Sequence, residues 1–409
     1  MQEMRNVKSF FSYASFGALS STIGVITVPY FTRVLTTEDF GLIGLFLGVL
    51  YFLVPLLSVS SEGLIGIKKV NLSPEKYQDF INQYISLIII LALVTVLGMM
   101  FFSFGSDIST LLLYALPMVA FLQALSRLHG IELVQTKQAT RFGMYRLAVA
   151  IVLFGLSYIL ISLFEFSWDG RILAIILAEL LLLTGQYVFT FRSLKAYKFY
   201  LTRGFLIEVL KYGYPLLFLL IAAWILNESD RFIVLNFMSL GDVGLYSAAY
   251  GMGMAVNVLN NAMTNTVVPV VYELLKNKKG KKQLRRLNIA YSAFILFVSL
   301  ALAVFFYNYG AYILGEAYAD GVTITCIVLV AFGFNGMYRT VGLPLDYLKK
   351  TKLKAVNFYI AAVCNIILSI GLINWLGLLA PAIGTLVSFM VLYFITLFFN
   401  LKYTKELMD

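Results

Sequence analysis

Residues 211–266, KYGYPLLFLLIAAWILNESDRFIVLNFMSLGDVGLYSAAYGMGMAVNVLNNAMTNT, read as two long apolar helices joined by a short polar corner. The first helix has Pro215 near its start and Asn227, Glu228, Asp230 and Arg231 near its end. Ionisable groups in or beside a bilayer are costly, so their presence points to a task. The second helix carries a polar stripe: at about 100° per residue, Tyr246, Tyr250, Gly253, Asn257, Asn260, Asn261 and Thr264 fall within roughly a third of its circumference.

The stretch has an echo in residues 12–46, SYASFGALSSTIGVITVPYFTRVLTTEDFGLIGLF. Both begin with a Tyr ahead of an apolar helix, carry an Arg near its end (Arg33 and Arg231), and turn through Asp-φ-Gly-Leu, at Asp39 to Leu42 and at Asp242 to Leu245. A repeat at about half the chain length in a membrane protein suggests two similar halves around a central site.

Composition agrees: of 409 residues, 60% are hydrophobic and only 13% charged, a balance expected of a polytopic membrane protein and not of a soluble one. Runs of about 20 apolar residues, the length needed to cross a bilayer, lie at 9–31, 40–60, 84–104, 109–127, 144–164, 171–191, 211–231, 243–269, 288–307, 319–339, 356–374 and 378–400. Twelve spans are therefore predicted, and the first is too long for a signal-peptide core. All but three of the 31 Lys and Arg residues fall in the N-terminus, the C-terminus or every second loop; the exceptions are Arg33, Arg171 and Arg231. The positive-inside rule then places both termini in the cytoplasm. Because the net charge of +10 is spread over alternate loops, it reads as topology and not as nucleic-acid binding. The basic run from Lys276 to Arg286 is read as a solvated topology determinant touching anionic lipid. The loop 192–211 mixes aromatic and basic residues, which suits an interfacial segment between halves 1–200 and 201–409.

Little supports catalysis. One histidine, His129, and two cysteines in apolar runs, Cys326 and Cys364, make neither a metal site nor a disulfide. Phosphate loops and nucleophile sets are missing as well, so no cofactor is expected and an enzyme is disfavoured. Glu179, near the middle of a span, must be protonated or paired; a helix-to-helix hydrogen bond and a role in ion coupling fit equally. Asp230 and Arg231 are adjacent and point about 100° apart. Either one faces a cavity and the other the interface, or Asp230 pairs with Arg33 across the repeat. Arg127 and Arg339 each close a span and are placed to give an anionic headgroup a basic mouth, where a planar guanidinium offers two hydrogen bonds at once. In the stripe, Tyr250 suits stacking on a sugar ring, and Asn257 and Asn261 suit hydroxyls. Buried bonding between helices is the alternative. Gly44 and Gly48 form a small-residue face suited to close packing within the bundle.

The segments VPYFTRVLTTEDFGLIGLF (28–46) and SDRFIVLNFMSLGDVGLYSAAYGMG (229–253) resemble the polysaccharide biosynthesis transporters, the Wzx-type O-antigen flippases of the multidrug/oligosaccharidyl-lipid/polysaccharide exporter superfamily. The resemblance implies an all-α integral membrane protein whose twelve helices form two pseudo-symmetric six-helix bundles around a central cavity. It also implies a flippase moving undecaprenyl-pyrophosphate-linked oligosaccharide across a bacterial inner membrane, with a polysaccharide polymerase and a chain-length regulator as further partners. Arg33, Arg127, Arg231 and Arg339 would hold the pyrophosphate, Tyr250, Asn257 and Asn261 the sugars, and Glu179 or Asp230 a coupling ion. Two readings compete with it. A multidrug antiporter of the same superfamily would share the fold, and a membrane polymerase or ligase would need a large external loop that this chain lacks.

Overall fold

The computed structural model describes residues 2–103, 110–135, 138–189, 197–276 and 280–408, and these are helical almost throughout. In chain order the helices are α1 (Gln2–Val34), α2 (Thr37–Leu57), α3 (Glu62–Asn71), α4 (Pro74–Ser103), α5 (Thr110–Gln135), α6 (Ala139–Tyr158), α7 (Trp168–Phe189), α8 (Arg203–Phe237), α9 (Leu240–Gly253), α10 (Ala255–Lys276), α11 (Lys281–Leu314), α12 (Gly321–Val341), α13 (Leu343–Tyr347), α14 (Thr351–Leu376) and α15 (Leu379–Met408). A π-helical turn, Ile159–Leu163, prolongs α6. Parts of the loops 192–211 and 276–286, namely 192–196 and 277–279, lie outside the described residues.

Among the described residues, nine helices are long and apolar enough to cross a membrane, and each overlaps a predicted span. The other three predicted ranges also carry helices, α1, α7 and the α9–α10 pair. The range 243–269 is not one helix. It breaks at Met254, where the backbone N–H bonds to Tyr250 O at 3.0 Å and Met254 O accepts from Asn257 N at 2.8 Å. Gly251 and Gly253 beside the break weaken the helix there.

The chain forms two compact units, Met1–Phe16 with Phe46–Ile221, and Gly17–Leu45 with Ala222–Asp409. The first unit is centred on Phe46, Leu50, Ile65, Tyr84, Val119 and Ile172, all buried. Pro55 interrupts the end of α2, and Val59 and Ser60 after it have φ of 51° and 49°. Such angles are unusual for a β-branched residue, and local bonds hold them: Ser60 N and Ser58 Oγ donate to Pro55 O at 2.7 and 3.1 Å, and Tyr84 Oη donates to Ser58 O at 2.9 Å. A side chain at Gly213 would strike the Val59 carbonyl, so only glycine fits there. This turn sets the direction of α3.

In the second unit the sequence echo acquires a physical meaning. Thr36 accepts from Asp39 N at 3.1 Å, and Asp39 Oδ2 accepts from Thr36 N at 3.3 Å. Ser239 and Asp242 exchange the same bonds, at 3.1 and 3.0 Å. Both are capping boxes with Asp as the reciprocating residue, so each repeated Asp starts a helix. The glycine two positions on serves packing. A Cβ on Gly41 would enter the Leu240 carbonyl, and one on Gly244 would enter the Thr37 carbonyl. Each contact is the other displaced by 203 positions, so the crossing of α2 and α9 is reciprocal about Gly41 and Gly244. One turn further along, Gly44 packs on Ser247, as the small-residue face predicts.

Candidate functional site

The polar end of α8 holds three formal charges in succession, Glu228, Asp230 and Arg231, all buried. Asp230 has no exposed surface, and burial without partners would be prohibitive for a carboxylate. Three helices supply them. Tyr246 Oη on α9 donates to its Oδ2 at 2.6 Å and Thr385 Oγ1 on α15 at 2.7 Å. Asn365 on α14, with its amide turned to match its neighbours, donates to Oδ1 at 3.1 Å. Asp230 is thus the meeting point of α8, α9, α14 and α15.

Arg231 points away from it, as adjacency on a helix requires. Its Nη1 donates to Glu228 Oε2 at 2.7 Å and to Asn227 O at 3.1 Å, and its guanidinium lies 4.9 Å from the centre of the Tyr250 ring. Tyr250 Oη donates to Asn227 Oδ1 at 3.4 Å. Successive turns of α9 therefore serve opposite charges, Tyr246 the anion and Tyr250 the cation. Arg231 and Glu228 form an ion pair, and among the described residues Asp230 has hydroxyl and amide donors but no ion pair. A buried anionic position of this kind suits a proton or a monovalent cation.

A second group lies on α10 and α12. Arg339 Nε donates to Asn335 Oδ1 at 3.1 Å and its Nη1 to Asn261 Oδ1 at 2.5 Å. Asn260 is wholly buried and donates to Phe332 O at 2.9 Å, so this amide serves helix packing. Asn257, half-buried, lies within 3.5 Å of the Asn260 amide. Because of the break at Met254, the stripe is not a single face: Tyr246 and Tyr250 belong to the first group and the asparagines to the second.

Arg33 joins neither. It is exposed in the last turn of α1, where Nη2 donates to Tyr312 O at 3.0 Å. Arg33 lies six positions before Asp39 and Arg231 eleven before Asp242, so the echo does not place them equivalently. The ion pair of Asp230 with Arg33, one of the two sequence readings, is replaced by Tyr246, Thr385 and Asn365.

In the other unit, Arg127 and Glu179 share the wall of a cavity of about 680 Å³ with Glu62, Gln123, Ser126 and Arg146. Ser126 Oγ donates to Glu179 Oε2 at 2.8 Å, and Arg127 Nη1 lies 3.6 Å from Glu62 Oε1. Glu62 is the first residue of α3 and is aimed here by the Pro55–Ser61 turn, whose Ser58 Oγ lies 2.9 Å from its Oε1 and shares its one proton between Glu62 and Pro55 O. Among the described residues no three His, Cys, Asp or Glu side chains converge as a metal centre.

Sequence reasoning gave no role to Thr385, Asn365 or Glu62. A single Thr or Asn in an apolar span is common, and only the approach of α14 and α15 to α8 marks these two.

The family described as polysaccharide biosynthesis protein matches residues 6–275. A Haemophilus influenzae (strain ATCC 51907 / DSM 11121 / KW20 / Rd) protein, "Lsg locus putative protein 1", is 24% identical over 271 residues, which are 64% of this chain and 65% of that protein. The match thus spans just under two thirds of that relative. Among solved structures, the lipid II flippase MurJ in an inward closed conformation has a TM-score of 0.73 at 18% identity, covering 99% of this chain and 90% of its own. An inward-facing multidrug resistance transporter of the MATE family, MOP superfamily, has a TM-score of 0.69 at 16% identity, covering 96% and 95%. At these identities the likeness is one of fold.

Proposed function

The chain belongs to the polysaccharide biosynthesis protein family, and from that premise we propose that it flips undecaprenyl-pyrophosphate-linked oligosaccharide, an O-antigen or related surface repeat unit, across the bacterial inner membrane. At the coarser level, it is a multi-pass membrane protein of MurJ- and MATE-like fold, and its family and fold neighbours are transporters and flippases rather than enzymes. The observation that carries the finer reading is the polar network on α8, α9, α14 and α15. A bundle needing only stability gains little from burying Asp230, Glu228 and Arg231 within apolar helices.

A sugar headgroup and pyrophosphate cannot cross hydrocarbon unaided. In this reading polar walls take the headgroup from one leaflet while the polyprenyl tail stays in lipid, and halves 1–200 and 201–409, twelve spans in all, alternate in access. Arg33, Arg127, Arg231 and Arg339 serve the pyrophosphate, and Tyr250, Asn257 and Asn261 the sugars. Asp230 is the coupling group, accepting a proton or a monovalent cation, because it is fully buried and its hydrogen bonds come from hydroxyls and an amide. Glu179, bonded to Ser126 beside Arg127, has the same role in the other unit. A polysaccharide polymerase and a chain-length regulator would take up the product.

The test is reconstitution in vesicles that contain undecaprenyl-pyrophosphate-linked oligosaccharide, with an impermeant glycosidase added outside. Protein-dependent digestion of the inner pool that responds to an imposed proton or sodium gradient is the expected result. A protected inner pool together with gradient-driven movement of lipophilic cations would overturn the reading in favour of a multidrug antiporter.

The basic-residue pattern further predicts cytoplasmic termini and a cytoplasmic 276–286 loop. Alkaline phosphatase fused after Gly280 or at the C-terminus is expected to be inactive; activity at either site would refute this orientation.

A further inference from the structure

Helices α11 and α15 both pack along α12, and beside the end of α12 they leave a cavity of about 480 Å³ that none of the proposed transport residues lines. Its lining combines basic, amide, hydroxyl and aliphatic groups. On α11, Lys281, Arg285, Asn288 and Ser292 recur at intervals of three or four and so share one face. On α15, Leu397, Asn400, Leu401 and Thr404 likewise fall on one face. The two helices run in opposite senses, since Val322 and Gly333 of α12 meet Gly310 and Ser299 of α11 in reversed order, while Phe332 and Phe334 of α12 meet Phe389 and Tyr393 of α15 in the same order. The basic pair therefore stands at the end of the cavity where α11 begins, beside Thr404. Amides and hydroxyls lie beside it, where Ser292 and Asn400 are buried, Thr404 Oγ1 donates to Asn400 Oδ1 at 2.6 Å, and the buried Asn288 Oδ1 meets no donor among the described residues. Apolar walls complete it, with Ile289 and Leu401 both 58% exposed.

Cations, hydrogen-bonding groups and aliphatic surface within one cavity match the phosphate, ester linkages and acyl chain of a membrane phospholipid. We propose that this cavity is a binding site for an anionic glycerophospholipid of the adjoining leaflet. Lys281 and Arg285 hold the phosphate, the Asn288 amide N–H and the Ser292 hydroxyl donate to the ester linkages, and one chain lies along Ile289, Leu397 and Leu401. One feature narrows the class: among the described residues no Asp or Glu lines the cavity, so the amine of a zwitterionic headgroup meets no carboxylate there. This inference is independent of the transport reading, because no residue proposed for transport lines the cavity.

Native mass spectrometry of the full-length protein, released from nanodiscs containing equal amounts of phosphatidylglycerol and phosphatidylethanolamine, tests it. Retention of phosphatidylglycerol in at least tenfold excess over phosphatidylethanolamine is expected. Lys281→Ala with Arg285→Ala should abolish that excess, and Ile289→Trp, which fills the chain tier without altering charge, should lower total retained lipid at least fivefold. Equal retention of the two lipids by the unaltered protein would overturn the proposal. So would retention unchanged in both variants, displacement by millimolar inorganic phosphate, or stronger retention of undecaprenyl phosphate than of phosphatidylglycerol.

Discussion

Asp230→Asn is expected to lower transport about 10- to 100-fold, the effect of losing roughly 1.5–3 kcal/mol of interaction with a charged group. Expression and melting temperature should stay close to those of the unaltered protein. Asn has nearly the shape of Asp, and the hydroxyls of Tyr246 and Thr385 can turn to accept from the new amide as readily as they donate to the carboxylate. What the variant lacks is the negative charge. If that charge takes up a coupling ion, the residual activity should no longer respond to an imposed gradient. Wild-type rates with an intact gradient response would remove Asp230 from the mechanism and leave it a packing residue.

Glu228→Ala is expected to act on stability instead, lowering it by about 3–5 kcal/mol, because it strands Arg231 as an uncompensated buried cation. Both side chains are almost fully buried, and their 2.7 Å contact is the only ion pair Arg231 makes among the described residues. The double change Glu228→Met with Arg231→Met should recover most of that loss, since apolar groups of similar length remove both charges together. Thermal unfolding in detergent would show this directly. A Glu228→Ala protein as stable as the parent would mean that water or lipid headgroups reach Arg231. The double variant also isolates function: if Arg231 holds pyrophosphate, it should be stable but impaired in transport, and Arg231→Lys should restore activity only in part because lysine lacks the planar fork.

The fold was legible because one solvent property governs it. Hydrocarbon demands long apolar helices, and among the described residues each predicted range overlaps a helix or, at 243–269, a pair of them. The break at Met254 was less visible, since the polar periodicity runs through it and only Gly251 and Gly253 mark a weak point. The chemistry was partly legible: charged residues at the end of the first helix of the 211–266 stretch could be singled out by cost alone. Their partners could not. Asp230 is satisfied by residues 16, 135 and 155 positions away, and no local pattern distinguishes Thr385 or Asn365 from other polar residues in the same spans. Arg33 shows the converse, since its resemblance to Arg231 in sequence does not survive counting from the turns.

The reciprocal crossing of α2 and α9 has a consequence for how the protein is made. Its two surfaces are separated by 203 positions, so at about 5–20 residues per second the first hairpin is synthesised some 10–40 s before the helix it packs against exists. Throughout that interval the Gly41 and Gly44 face has no α9 beside it. Such a face is suited to the delay. Its glycines present no large side chain that must be buried, and the capping box of Thr36 and Asp39 closes within four residues, so the hairpin can finish its own hydrogen bonds without its later partner. Assembly then ends with a docking step rather than a folding step, and a nascent chain stalled before Leu240 should hold a correctly formed hairpin that has yet to find its place.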